Sequence, residues 1–400
     1  MSLLDLKRTS TESTCTSSVC SNSSPTCHEK KGFSSKTFDE RTKKVMDEPF
    51  SFPKPIFKTC SKFGNVVIHN LASGSLIKSA NVLYSPASKL GYYIRRGIRK
   101  ALFGTVVHAI IVRRIIQKNS VEWAFTDMEC AIKIIDQSKI SCPDKFGENP
   151  LKEIAAMQYI SNIYKYDNCE IITPAEVLAD SNNWYVILPF CENGELFDRL
   201  ERKGKFDENE SRYWFRQICK GIQRLHEAGI CHRDISLENI LIREDGTCHI
   251  IDLGASLRVP CYRSHSENNF MIMPQGRAGK NYYLAPEIYE NESPFNPYSV
   301  DIWSAGALLF SMLTGSPPCD KPCYTDHCFR WLASGRINDM TRGWGMELSP
   351  KVINLLEGML CVNSDTRFSL EEVINHPWMV EASDNDSVPR PPHSSFCSMR

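Results

Sequence analysis

The chain has 400 residues, 42% hydrophobic and 24% charged, enough to bury a large core as one extended domain or a bilobal one with a tail. Its 47 basic and 47 acidic residues cancel, so no global field favours nucleic acid or an anionic membrane, and any anion site has to be local. No run of 18 apolar residues is present to span a membrane, MSLLDLKRTS lacks a signal-peptide core, and Ser2 stands where N-myristoylation needs glycine.

The 17 cysteines are scattered, and several sit in apolar runs, as Cys130 does in CAIKII and Cys219 in FRQICKGI. That pattern suits reduced thiols in a cytoplasmic or nuclear protein better than a disulfide framework.

Residues 1–45 form a Ser/Thr-rich tract with few large apolar residues. Burial there cannot offset the ordering entropy, so a disordered tail is expected. Cys15, Cys20, Cys27 and His28 within it fit no paired zinc-knuckle spacing. Residues 46–92 read as an N-terminal extension of unassigned role. Inside it, NVVIHNLASGSLIKSANVLY has β-branched runs around a Gly-Ser turn, a hairpin signature.

From residue 93 to 380 the apolar content stays high. CAIKII, WYVILPF, ILIRED and CHIIDLG are short β-rich runs, and NPLKEIAAMQYI reads as the helix after the first of them. Residues 207–228 place Trp214, Phe215, Ile218, Ile222 and Leu225 on one helical face. Asp207 and Glu210 form a capping box at that helix's start, and Gly229 suits its end. DIWSAGALLFSML (301–313) is apolar almost all round, as a helix buried within a domain is. SPKVINLLEGML opens on a Ser-Pro helix start, SLEE at 369–372 is a second capping box, and residues 381–400 read as a loose tail. Strands come first and helices dominate later, which predicts an α+β chain in two lobes.

There is no GxxxxGK[ST], so a P-loop nucleotide fold is unsupported. What the sequence does hold is a set of charged residues in a fixed order. Lys133 lies in a β-run and Glu153 in the next helix; Asp234 and Asn239 follow the 207–228 helix, and Asp252 ends a strand. Phosphoryl transfer uses this inventory: a lysine for the α/β-phosphates, a glutamate to hold it, hard oxygens for Mg²⁺, and a carboxylate to orient the attacking hydroxyl. A lone strand lysine is ordinarily a solvated surface charge. Only its partners give Lys133 a role.

In these motifs the chain from about 93 to 380 resembles a eukaryotic protein kinase domain, nearest the serine/threonine, calmodulin-dependent-kinase-like branch. CAIK matches the strand-lysine motif, HRDISLEN the catalytic loop, DLG (252–254) the metal-binding DFG, APE (285–287) the close of the activation segment, and DIWSAG the buried-aspartate helix. Arg367 in DTRFSLEEVINHPW matches the arginine that pairs with the APE glutamate, here Glu287. The resemblance implies the bilobal kinase fold, with ATP and Mg²⁺ as cofactors. It implies Asp234 as catalytic base, Lys133 at the phosphates held by Glu153, and Asn239 and Asp252 as metal ligands. VILPFCENGELF becomes the hinge, with Leu188 guarding the back pocket and the backbone of Pro189 and Cys191 meeting adenine. Val106, Ala131 and Leu241 would sandwich the base, while Met157, Leu253 and His232 would stack into a spine. Asp301 would anchor the catalytic loop.

The sequence departs from that pattern in three places. In GIRKALFGTVV, following Ile98, two of the three glycine positions of the phosphate-covering loop hold Arg99 and Ala101, and only Gly104 survives. The basic residues Arg95, Arg96, Arg99 and Lys100 could restore charge without the geometry, or could simply be exposed strand residues. Second, MIMPQGRAGKN (271–281) contains no Ser, Thr or Tyr, and only Tyr262, Ser264 and Ser266 lie earlier in the segment. No activating phosphorylation is expected at the usual place.

Third, Ser236 stands where serine/threonine kinases carry a lysine, and Lys280 stands where they carry a threonine. An exchanged pair would let Lys280 reach Asp234 and the transferring phosphate while Ser236 supplies the hydroxyl. The competing reading is a solvent-facing lysine in a divergent loop. CDKPCYTDHC (319–328) offers either zinc ligands at Cys319, Cys323, His327 and Cys328 or a loop leading into the next helix.

The sequence therefore predicts an Mg-ATP-dependent serine/threonine protein kinase acting on protein hydroxyls. Glu195 and Glu238 occupy positions that face basic residues before the phosphoacceptor in similar kinases, and KRTS (7–10) could serve as a site in cis. Glu195 also borders the nucleotide pocket. The alternative is a pseudokinase scaffold, favoured by the eroded glycine loop and opposed by the intact Lys133, Glu153, Asp234, Asn239 and Asp252. An ATPase without a protein acceptor is opposed by the complete APE segment. With no EF-hand loop in the sequence, calcium would act only through a partner.

Overall fold

The computed structural model describes residues 44–117, 120–140, 149–165, 170–261 and 270–381. The Ser/Thr-rich tract with its cysteines and KRTS, Tyr262, Ser264 and Ser266, and the tail from 382 lie outside the described residues.

The first half is strand. β1 (Lys44–Met46) and β2 (Lys58–Thr59) precede the longer β3 (Ser61–His69), β4 (Leu76–Ser85), β5 (Leu90–Ala101), β6 (Gly104–Gln117) and β7 (Ser120–Asp136). Helix α1 (Pro150–Ile163) follows, then β8 (Glu176–Ala179) and β9 (Asn183–Pro189). Eight of these strands make one sheet in the order β2-β8-β9-β7-β3-β4-β5-β6. The hairpin expected around the Gly-Ser turn is the antiparallel β3–β4 pair. The long β6–β7 hairpin accounts for the wide spacing between Val106 and Lys133.

β6 also pairs back to β7, and β3 pairs parallel to β7 through Ile68 with Trp123 and His69 with Ala124, so β3 to β7 close into a five-stranded ring. Ile68, Ala80, Val82, Val112 and Trp123 pack together as their own small core. The Arg114 guanidinium lies over the Phe63, Tyr84 and Trp123 rings. Bulges between Ile94 and Arg96 and between Gly97 and Arg99 give β5 the bend it needs to serve both this ring and the hairpin near the site.

The second half is helical: α2 (Leu196–Lys203), α3 (Glu208–Glu227), α4 (Pro286–Glu290), α5 (Pro297–Thr314), α6 (His327–Ala333), α7 (Ile337–Gly343), α8 (Pro350–Met359), α9 (Leu370–Ile374) and α10 (Pro377–Val380). Short strands β10 (Ile230–Cys231), β11 (Ile240–Ile242), β12 (Cys248–Ile250), β13 (Leu257–Arg258) and β14 (Phe270–Ile272) lie between α3 and α4.

The expected face of α3 (Trp214, Phe215, Ile218, Ile222 and Leu225) is buried, and every residue of α5 is buried. Ser349 caps α8 by accepting from the Val352 N–H, and the Ser369/Glu372 capping box is complete. The box expected at α3 is only half there. Asp207 accepts from the Glu210 N–H, but the Glu210 carboxylate turns to Arg199 and Lys203, because two nearby cations outbid a single backbone amide. No helix among the described residues is long and apolar enough to cross a membrane.

Candidate active site

β7 carries Ala131 and Lys133 two residues apart, so strand alternation puts both on one face of the sheet. Lys133 Nζ donates to the two carboxylate oxygens of Glu153 at 2.7 and 2.6 Å. Glu153 sits in the first turn of α1, which starts there because the Asn149 side chain accepts from the Leu151 and Lys152 N–H groups and Pro150 occupies the first helical position. Burial pushes the Glu153 carboxyl up, with Asp252 adding repulsion; Lys133 opposes both.

The residues of the loop after α3 hang from one buried carboxylate. Asp301, fully buried in α5, accepts from the His232 N–H (2.8 Å), the Arg233 N–H (2.8 Å) and the His226 ring (3.0 Å). Burial alone would raise its carboxyl, but these donors hold it below the usual range. The bonds fix Arg233 at a φ of 65°, a conformation that side-chain-bearing residues adopt only under constraint. His232 Nδ1 accepts from the Asp234 N–H at 3.2 Å, which leaves Nε2–H to donate to the Ile251 carbonyl at 3.0 Å. Met157, Leu253 and His232, the expected spine, are all buried.

Asp234 then receives donors from two residues. Asn239 Nδ2 donates to its carbonyl and to its Oδ2, both at 2.8 Å. The Lys280 backbone N–H donates to Oδ1 at 3.1 Å, and Lys280 Nζ donates to Oδ2 at 3.1 Å and to Ser236 Oγ at 2.8 Å. The exchanged lysine and serine therefore meet at the carboxylate, and Lys280 is not a solvent-facing residue.

Gly279 permits this approach. Its φ is +104°, and a Cβ there would stand 2.6 Å from the Arg233 carbonyl oxygen. Burial works against the Lys280 charge, yet the Asp234, Glu238 and Asp252 carboxylates outweigh it and hold the ammonium above the ordinary lysine range. Asp252 is in the left-handed region (φ 67°), with one carboxylate oxygen accepting from the Gly254 N–H at 3.2 Å. Burial would raise its carboxyl, and Lys133 and Lys280 together bring it below the usual carboxylate range.

Around this centre, Ala131 pairs across to Leu188 at the end of β9, Pro189 follows, and Cys191 is buried beyond the strand. Val106 is half-buried on β6 opposite Lys133, and Leu241 is half-buried on β11, bridged to Glu195. Ile98 is exposed and Ala101 half-buried on β5, which turns tightly into β6 at Leu102 and Phe103. Gly104 packs against β7 so closely that a Cβ would stand 1.9 Å from the Ile134 carbonyl oxygen. The one surviving glycine of the loop is thus the one that the hairpin's packing requires.

Two open readings narrow here. Arg99 does not join a local cationic patch: its Nη1 donates to Glu195 Oε1 at 3.0 Å, closing the loop onto the residue just before α2. Glu195 accordingly faces an arginine of its own chain. Both ends were visible in sequence, but their pairing depends on how far the β5–β6 hairpin curls, and no local pattern encodes that. The second concerns 319–328. Cys319 is buried, His327 opens α6, and among the described residues no group of three or more His, Cys, Asp or Glu side chains is placed to hold a metal ion. Arg367 pairs with Glu287 as expected, in a fork of 2.7 and 3.0 Å.

The family comparison agrees with this geometry. Residues 120–379 match the protein kinase domain, and the chain belongs to that family. The match starts at β7, so the eroded β5–β6 hairpin lies outside it. The chain is 31% identical over 280 residues to a probable serine/threonine-protein kinase, fhkC, of Dictyostelium discoideum, covering 68% of this chain and 44% of that protein. It is 29% identical over 271 residues to the calcium-dependent protein kinase SK5 of Glycine max (67% and 49%). It is 31% identical over 253 residues to the SNF1-related protein kinase catalytic subunit alpha KIN12 of Arabidopsis thaliana (63% and 46%). The chain spans about half the length of these relatives.

Proposed function

We propose that the protein is a serine/threonine protein kinase that transfers the γ-phosphate of ATP to protein hydroxyls. In this reading residues 93–380 are the bilobal kinase domain, with the strand-rich half as one lobe and the helical half as the other. Residues 46–92 are an extension built onto its sheet, and the protein works in the cytoplasm.

The observation that carries the proposal is the cluster at Asp234. A carboxylate is held by Asn239 and Lys280 while its Oδ1, taking the Lys280 N–H, keeps acceptor capacity for a substrate hydroxyl. Asp234 orients that hydroxyl and takes its proton. Lys280, charged and anchored on Ser236, stabilises the negative charge that develops on the transferring group. Lys133, fixed by Glu153, neutralises the α/β-phosphates. The adenine base lies among Val106, Ala131 and Leu241, against the Pro189–Cys191 backbone, with Leu188 behind it.

Asp252 and Asn239 offer a carboxylate and an amide oxygen, the hard donors that Mg²⁺ takes, so the donor set fits the ion. When bound, Mg²⁺ supplies charge neutralisation at the phosphates.

Glu238 supports a basic preference in the substrate. Its carboxylate is buried beside the Tyr283 hydroxyl and near the Lys280 ammonium, and one of its oxygens keeps acceptor capacity. An arginine before the acceptor serine would satisfy it. Glu195 can join only after Arg99 leaves. A peptide library showing no basic preference would refute this specificity. The kinase assignment itself is tested by γ-phosphate transfer to an Arg-rich serine peptide, compared with Asp234→Asn.

A further inference from the structure

Residues 44–60 cross the molecule as an extended strap, kept out of helical geometry by Pro49, Pro53 and Pro55. At one end β1 adds a parallel strand to β14, and the Met273 N–H donates to the Met46 carbonyl at 2.9 Å. Next, the Phe50 N–H donates to the Arg258 carbonyl at 2.7 Å, and Arg258 Nη1 returns a bond to the Ser51 carbonyl at 2.7 Å. Phe52 meets Tyr159 of α1 edge to face.

The Gln158 carboxamide, on α1, then grips the strap from both sides: the Ile56 N–H donates to its Oε1 at 2.8 Å, and its Nε2 donates to the Ile56 carbonyl at 2.7 Å. At the other end β2 adds a parallel strand to β8, and the Cys60 N–H reaches the Ala179 carbonyl at 3.2 Å. One continuous piece of chain therefore ties together the segment leading to Lys280, the strand after Asp252, the helix that carries Glu153, and the edge of the sheet that carries Lys133.

We infer that this strap positions the catalytic groups, with Gln158 as its positioning residue on α1. The inference rests on the kinase reading. The Lys133–Glu153 pair exists only while α1 lies against the sheet, and Gln158 is five residues from Glu153 on the same helix. The segment 271–281 has no hydroxyl side chain that could carry a phosphate. It is held instead through its own main chain: by the β1 ladder at Phe270–Ile272, by the Met46 carbonyl at Met273, and by the Arg233 guanidinium, whose Nη2 donates to the Gly276 carbonyl at 2.6 Å. The activating contact thus comes from the chain's own N-terminal side.

Linkage makes this testable without disturbing the fold. If the strap favours the arrangement that binds nucleotide, nucleotide must favour the strap by the same factor. Hydrogen exchange on the full wild-type chain, with and without Mg²⁺ and a non-hydrolysable ATP analogue, should show the Ile56, Cys60 and Met273 amides slowing by fivefold or more along with Cys191 at the hinge. Gln158→Ala should abolish the slowing at Met273 and lower kcat about tenfold with a KM for peptide within twofold and an unchanged Tm.

Protection at Cys191 without any in the strap overturns this inference alone. So does a Gln158→Ala variant with wild-type kcat. No protection at Cys191 overturns the nucleotide reading, and the strap's proposed role falls with it.

Discussion

Replacing Lys280 by alanine removes an ammonium that donates to both Asp234 (3.1 Å) and Ser236 (2.8 Å) and leaves the Asp234 and Asp252 carboxylates without that shared cation. A unit charge developing about 4 Å from Nζ interacts with it by about 4 kcal/mol at an effective dielectric of 20. Part of that attraction is already present in the ground state. The differential share is therefore set at about 2.7 kcal/mol, or 10²-fold in kcat.

The carboxylates around Lys280 hold its pKa above the ordinary lysine value of 10.5, so the group keeps its proton, and its contribution should not vary, from pH 6 to about 9. The assay is initial-rate γ-phosphate transfer at saturating Mg-ATP to an Arg-rich serine peptide, with thermal unfolding as a check on folding. Ser236→Lys combined with Lys280→Thr puts the cation back from the opposite side and should recover at least tenfold over Lys280→Ala. A Lys280→Ala variant within threefold of wild-type kcat would refute the reasoning.

Three further outcomes follow from individual contacts. Burial, and then the Arg233 guanidinium, push the Lys152 ammonium down to about 8 from 10.5. Between those values the unfolded chain keeps a proton that the native one has lost, so stability rises with pH there by up to about 3 kcal/mol. Lys152→Met should flatten that rise and raise Tm at pH 7; denaturant unfolding at pH 7, 8.5 and 10 measures it, and parallel curves for the two proteins would contradict it. Arg367→Ala strands the Glu287 carboxylate and the Ser299 and Cys361 carbonyls, so it should cost about 3–5 kcal/mol, seen as a Tm lower by roughly 10 °C. Gly104→Ala forces β6 off β7 at Ile134 and should raise the KM for ATP by about tenfold or more while lowering kcat less. An unchanged KM would show that the hairpin does not cover the nucleotide.

The candidate site's side chains were legible through short motifs that resemble a known family's: Lys133 in a β-run, Asp234 and Asn239 within one loop, Asp252 after a strand. Even the Lys280–Ser236 contact could be read, since a missing charge in one loop and an extra one in another are complementary. Helix starts at Ser349 and Ser369 were equally local. The strap was not legible. β1 pairs with a strand more than 220 positions away (Lys44 with Phe270), and three extended residues carry no periodicity that names a partner. The parallel β3–β7 closure was hidden for the same reason, since only its antiparallel hairpin leaves a turn signature. Arg99 and Glu210 show the other limit: a charged side chain's partner is chosen by tertiary distance, so Arg99 meets Glu195, and the Glu210 carboxylate leaves the cap for nearer cations.

The kinase assignment is tested most directly by transfer of labelled γ-phosphate from Mg-ATP to protein or peptide serine by the full chain, beside Asp234→Asn. Phosphopeptide formation by wild type and its loss by at least 10²-fold in Asp234→Asn, about 2.7 kcal/mol of transition-state stabilisation, is the predicted result. Nucleotide binding with no transfer above the Asp234→Asn background, across basic and non-basic serine and threonine peptides, would contradict it.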